Sequence, residues 1–137
     1  MNEALNLNLG PAELQGVTEL ALAHVGDAVF ELLVRQELCC ARAVPVRDLH
    51  RSTVARVTAP AQAAFIGRIQ PLLTAEETAV YKRGRNAHTH QAPKSATPGQ
   101  YARATGLETL FGWLWLTGQN GRLRVLYDAG KEKDDAT

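Results

Sequence analysis

Residues 20–34 read LALAHVGDAVFELLV, and the reading of this stretch decides the rest. It holds no proline, and alanine and leucine, among the better helix formers, dominate it. The flanking Thr18, Glu19, Arg35, Gln36 and Glu37 are polar, and the run is shorter than the roughly 20 apolar residues of a membrane span. His24, Asp27, Glu31 and Arg35 are spaced by three, four and four, which puts them on one stripe of a helix. All other faces are apolar, so the helix is expected to be central and largely buried. Its glycine and aspartate then need a reason. Gly26 in mid-helix costs about 1 kcal/mol relative to alanine, and an uncompensated buried carboxylate costs more. Arginine partners for Asp27 and Glu31, with Gly26 permitting a tight helix crossing, would be a structural answer. A functional carboxylate would be another.

Bulk properties narrow the field. A chain of 137 residues predicts one domain, spanning 1–137 with a core of about 17–130. The net charge of +1 gives no global sign of a polyanionic partner, but the charge is regional. No acid lies between Glu77 and Glu108, whereas Lys82, Arg83, Arg85, Lys94 and Arg103 all do. From Leu38 to Ala75 the only acid is Asp48, against Arg42, Arg47, Arg51, Arg56 and Arg68. Regional basic charge is what binds polyanions. Cys39 and Cys40 are adjacent and have no other cysteine to pair with, which excludes a disulfide framework. No second Cys/His pair has zinc-ligand spacing, and His88 and His90 fall in an expected loop. MNEALNLNLG lacks the basic start and apolar core of a signal peptide, so a cytoplasmic protein is expected.

The pattern along the chain is all-α, with no alternating strand and no repeat. The central helix is expected at about 17–39, a second from Val44-Pro45 through Val57, and a third from about Ala59 to Gln70. Thr74 with Glu77 forms a capping box that opens a fourth, TAEETAVYKRGRNA, acidic in its first turn and basic in its last. HTHQAPKSATPG reads as a loop. Thr97 and Pro98 open a fifth helix that stops near Gly118, and Asn120-Gly121 turns into a last one that frays at KEKDDAT.

The fifth helix repeats the puzzle of the first. In TGLETLFGWLWLT, residues 105–117, Glu108 is the only charge, with Gly106 and Gly112 on either side. Two apolar helices thus each carry a carboxylate beside glycine, with a basic helix end and loop between them in sequence. Such a pair suits a hard divalent cation held against a phosphate backbone. Magnesium takes one or two carboxylates and completes its octahedron with waters and substrate phosphates.

VGDAVFELLV resembles the signature helix of the ribonuclease III family, E-R-L-E-F-L-G-D-A-V-L-E, and GLETLFGWLWL resembles its second motif, D-x-x-E-A-L-I-G. The chain is too short to add the usual double-stranded-RNA-binding domain. YKRGRNA, then PK, then the second motif resembles the Mini-III branch, the bacterial form reduced to the catalytic domain. The likeness runs over roughly residues 20–116. It implies the all-α ribonuclease III endonuclease fold, as a homodimer. It also implies that Asp27 and Glu108 are the catalytic residues and metal ligands. Three family acids are missing: Leu20 and Ala23 replace the signature glutamates, and Thr105 replaces the aspartate of the second motif. Glu31 matches the last signature acid and is expected to support the site or form a salt bridge. His24 matches an aromatic residue at the dimer interface, where Ala28 is expected too. Gly26 would thin the helix where a partner subunit or the substrate approaches.

The resemblance implies a magnesium-dependent endoribonuclease, with manganese as a substitute. It would cut double-stranded RNA to 5′-phosphate and 3′-hydroxyl ends. It implies as substrate the precursor ends of 23S ribosomal RNA, with assistance from ribosomal protein L3. Recognition of A-form RNA rests mainly on shape, phosphates and 2′-hydroxyls. The residues expected to make those contacts are Lys82, Arg83, Arg85, Asn86, Lys94 and Arg103. Complementing a helix C-terminus is the alternative role for the three on the helix, and capping is the alternative for Asn86. The rival function is a catalytically silent RNA-binding or ribosome-assembly protein on the same fold, given the missing acids. Magnesium-dependent cleavage of duplex RNA separates the two. A helical phosphohydrolase for small molecules would need a denser His/Asp set.

Overall fold

The computed structural model describes residues 4–41, 43–87 and 96–131. Helix α1 is a single turn, Pro11–Leu14, and α2 follows as Glu19–Cys40. A 3-10 turn, Val46–Asp48, leads into α3, Leu49–Val57, and then α4, Ala59–Ile69. A second 3-10 turn, Gln70–Leu72, precedes α5, Ala75–Asn86. Helices α6, Pro98–Leu116, and α7, Asn120–Gly130, complete the order. The all-α expectation holds, and among the described residues the only β pairing is an isolated bridge from Asn8 to Thr117. No described helix is long and apolar enough to cross a membrane.

The helix starts follow their caps. Thr18, Thr58, Thr74 and Thr97 each accept a backbone N–H of the first turn. Thr74 with Glu77 and Thr97 with Gln100 are reciprocal capping boxes. Gly118 ends α6 at a φ of 73°, a left-handed conformation that glycine adopts without strain. Three boundaries depart from expectation. Pro45 is extended, so the second expected helix opens instead as a 3-10 turn from Val46. Pro71 is carried within a 3-10 turn rather than ending the segment before it. The single turn α1 carried no periodic signal; it forms because Pro11 pre-sets its start and Glu13 accepts from the Gly10 N–H at 3.2 Å.

Helices α2 and α6 form the centre, with α4 and α5 packed on α6. Phe30, Phe65, Phe111 and Tyr127 meet between α2, α4, α6 and α7, and the Phe30–Phe65 pair is edge-on at 5.0 Å. Glu77 of α5, almost fully buried, is clamped by Arg122 of α7 at 2.8 Å. A bidentate pair of this kind meets the cost of burying the charge only because the geometry is good.

The crossing of α2 and α6 is tight because both helices carry glycine there. A Cβ on Gly26 would overlap the Glu108 carbonyl and lie 2.8 Å from the Gly112 nitrogen. A Cβ on Gly112 would overlap the Leu22 carbonyl. The element that approaches Gly26 is therefore α6 of the same chain, not a partner subunit or substrate. This corrects the role expected for Gly26. Gly26→Ala should destabilise by about 3 kcal/mol or more, because the obstacle is backbone that cannot swing aside. Gly67 of α4 has nothing within 4 Å of a built Cβ, and Gly67→Ala should stabilise by about 0.5–1 kcal/mol. Urea unfolding of the two variants checks both signs.

Candidate active site

The glycine crossing sets the acids side by side. Asp27 follows Gly26 on α2, and the backbone of Glu108 on α6 is what Gly26 touches. Asp27 is exposed, while Glu108 is only partly accessible. Burial first, and then the charge of Asp27 and a hydrogen bond with it, push the Glu108 carboxyl up to about 8. Its burial and the neighbouring Asp27 charge thus favour the protonated form of Glu108. A cation between the two carboxyls would reverse this balance, since it favours both charged forms.

Two of the three positions that lack a family acid are closed. Ala23 is buried. Thr105 is buried as well, and its hydroxyl donates back to the Tyr101 carbonyl at 3.0 Å. Among the described residues no group of three or more His, Cys, Asp or Glu side chains is arranged to hold a metal. The carboxylates that could hold a cation are Asp27 and Glu108. Two carboxylates fit magnesium, which draws its remaining ligands from water and phosphate.

Glu31 pairs with Arg35 one turn on, at 3.0 Å on the surface, which answers to its salt-bridging alternative. The arginines therefore account for Glu31 and not for Asp27. His24 and Ala28 are exposed on α2, in line with Leu20 and Leu32, which are 42% and 54% exposed. These four residues recur every fourth position and form one open stripe.

The basic end of α5 lies next to the acids through one contact. Gly84 faces the Thr109 side chain with no room for a Cβ, and Thr109 follows Glu108. Arg83 and Arg85 flank Gly84. Arg83 reaches Glu19 of α2 at 3.5 Å. Arg85 lies over the Tyr81 ring at 5.7 Å and donates to Asn86 at 3.2 Å. Burial pushes the Tyr81 phenol up, and Arg85 and Arg103 pull it partly back, so the two arginines act on one spot. Lys82 and Arg103 are exposed. Lys94 lies outside the described residues. Among those described, no Lys or Arg side chain donates to a terminal carbonyl of α5.

One residue escaped the sequence reading. Gln62 of α4 is 2% exposed, and its amide favours the charged form of Glu108. The signal was available: Gln62 is a polar residue inside the apolar run APAQAAFIG, the same anomaly that drew attention to Asp27 and Glu108.

A family model described as the Ribonuclease III domain matches residues 20–119. The chain belongs to the ribonuclease III family. It is 47% identical to a Mini-ribonuclease 3 of Symbiobacterium thermophilum, an alignment that covers 82% of this chain and 87% of that one. A Mini-ribonuclease 3 of a Thermoanaerobacter species is 41% identical over 82% of this chain and 79% of its own length. A crystal structure of a Fusobacterium nucleatum protein superposes with a TM-score of 0.75 at 27% identity, covering 85% of this chain and 93% of that one. This ribonuclease III-family chain is an endoribonuclease, of a family that acts on double-stranded RNA and generally uses a divalent metal.

The raised Glu108 carboxyl has a measurable consequence in EDTA. Glu108 ionises near its ordinary value of 4.5 when unfolded and near 8 when folded. The folded chain therefore holds more protons in between, and this group's contribution to stability falls as pH rises from about 4.5 to about 8. Glu108→Gln should remove that part of the slope. At pH 8 it should melt higher than the wild type, by on the order of a few kcal/mol. Melting curves of both proteins across this range provide the check.

Proposed function

We propose that this enzyme is a magnesium-dependent endoribonuclease that cleaves double-stranded RNA at Asp27 and Glu108. The observation that carries the reading is the glycine crossing of α2 and α6, which sets the Asp27 and Glu108 carboxyls side by side. A divalent cation bound there would supply an activated water and charge stabilisation for in-line attack at a phosphodiester. The protein's part is to hold two carboxylates on rigid helices, one exposed and one shielded, within a residue of a basic surface.

That surface is Lys82, Arg83, Arg85, Asn86 and Arg103, with Lys94 assigned to it by its place in the sequence. Its side chains take phosphates: Arg83 is anchored by Glu19 and Arg85 by Tyr81, so little order is lost on binding. Two copies joined through the Leu20, His24, Ala28 and Leu32 stripe would present one site per strand, which supports a staggered cut with 5′-phosphate and 3′-hydroxyl ends. The proposed substrate is a 23S ribosomal RNA precursor, with ribosomal protein L3 as an assisting partner. The thin acid set by itself would also suit a silent RNA-binding protein, and the Mini-ribonuclease 3 relatives support the endoribonuclease.

Cleavage of long duplex RNA in magnesium separates the two. Asp27→Asn should lower turnover by at least about 100-fold while binding duplex nearly as well as the wild type. A wild-type protein with no magnesium-dependent cleavage would establish the silent reading instead. His24→Glu or Ala28→Glu should give inactive monomers by light scattering, and a monomeric wild type at micromolar concentration would remove the two-strand cut. Lys82→Gln, Arg83→Gln, Arg85→Gln and Lys94→Gln should each lower the salt slope of duplex binding by about 0.7–0.9 and weaken all duplexes alike. An unchanged slope in all four would leave these residues at the helix end only.

A further inference from the structure

We propose that Gln62 is a positioning residue: its buried amide, reaching from α4, donates to the Glu108 carboxylate and fixes the orientation in which that carboxylate takes a cation. The inference rests on the metal reading of Asp27 and Glu108 and extends it to a third helix.

Gln62 stands in an otherwise apolar environment. Its neighbours on α4, Ala63, Phe65 and Ile66, are all buried in the core, and Gln62 itself is 2% exposed. An amide is seldom put in such a place without a partner, because a buried donor left unmade is costly. Yet among the described residues the Gln62 Nε2 closes no hydrogen bond of full geometry. The group it acts on is Glu108, where its amide opposes the effect of burial and of Asp27. These observations have one physical account. The Glu108 carboxyl is the acceptor within reach of this amide. A Glu108 carboxylate held on a cation is the acceptor that Nε2 lacks. Bonds from an ionised acceptor are shorter and stronger than neutral ones.

The mounting suits this role. Thr58 caps α4 by accepting the Ala61 N–H at 3.2 Å, and the Gln62 N–H bonds the Thr58 carbonyl at 2.9 Å. Phe65, one turn on, is locked edge-on against Phe30 and Phe111. The side chain therefore starts from a fixed backbone on a helix packed against α6. Its burial keeps it from the RNA, so it works through Glu108 and not on the substrate. An amide also does what an acid here could not: it orients a carboxylate without adding a third negative charge to the pair. In a site with only two acids, the direction of each matters more. Partners that orient metal ligands typically contribute 10–100-fold in metal affinity or activity.

The test uses Gln62→Met, which keeps the length and volume but removes the donor, with Asp27→Asn as control. Binding of Mn2+ alone to the RNA-free protein is followed by electron paramagnetic resonance, alongside melting temperature and steady-state cleavage in magnesium. Gln62→Met should melt in EDTA at or above the wild-type temperature, since an unsatisfied donor is gone. It should bind Mn2+ about 10–100-fold more weakly. Its turnover at fixed low magnesium should fall while KM for duplex RNA stays put. Wild-type Mn2+ affinity and turnover in Gln62→Met, with binding lost in Asp27→Asn, would make Gln62 a core amide only. Wild-type Mn2+ affinity in Asp27→Asn would remove the metal reading and this inference with it. If Gln62→Met fails to fold, Gln62→Glu decides: it should melt lower than the wild type in EDTA and gain more from added Mn2+. An equal gain in both proteins would overturn the proposal.

Discussion

The proposed site depends on two helices touching backbone to backbone. Where α2 crosses α6, Gly26 lies on the Glu108 carbonyl and Gly112 on that of Leu22, with no side chain between them. A helix pair usually keeps its axes 8–10 Å apart according to the side chains at the contact. Glycine on both sides removes that spacer. Asp27 and Glu108, each beside the contact, are brought together by the geometry of the peptide backbone and not by a designed pocket. The two mid-helix glycines lower helix stability locally, and the gain is a pair of acids whose separation is set by the hardest atoms in the protein.

The pair is in tension by itself. Asp27 is open to water and Glu108 is shielded, so the less solvated acid keeps the proton. Gln62 of α4 offers the opposing preference. A divalent cation held by both carboxylates would resolve the tension. Ala23 and Thr105, where the family pattern has carboxylates, have been absorbed into the packing: Ala23 is buried and Thr105 bonds its own helix. Fewer acids make each remaining one more dependent on what orients it.

Much of this was legible in the sequence, for physical reasons. Caps and helix periodicity are local, so Thr74 and Thr97 marked two of the helix starts correctly. A charge stranded on an apolar helix is visible in any sequence, and it exposed Asp27 and Glu108. What was not legible depends on which helix lies against which. The partner of Gly26 was α6, and no spacing within residues 20–34 could show that. Gln62 was missed because a single glutamine on a short helix has many harmless explanations, until the fold buries it against Glu108. Glu31 kept two readings until Arg35 was seen to hold it.

The joint between α5 and α6 has a further consequence. Gly84 is seated on Thr109, whose hydroxyl donates to the Thr105 carbonyl at 2.8 Å and to the Glu19 carbonyl at 3.2 Å, and Arg83 reaches the Glu19 side chain. Three helices are thereby pinned within a few residues of the acids. The arginines and the carboxylates are in effect marks on one rigid rule. A flexible strand could satisfy such marks in many ways, with no discrimination. A stiff duplex either matches their separation or does not, so on the proposed reading the shape of a double helix would be gauged without a single base being read.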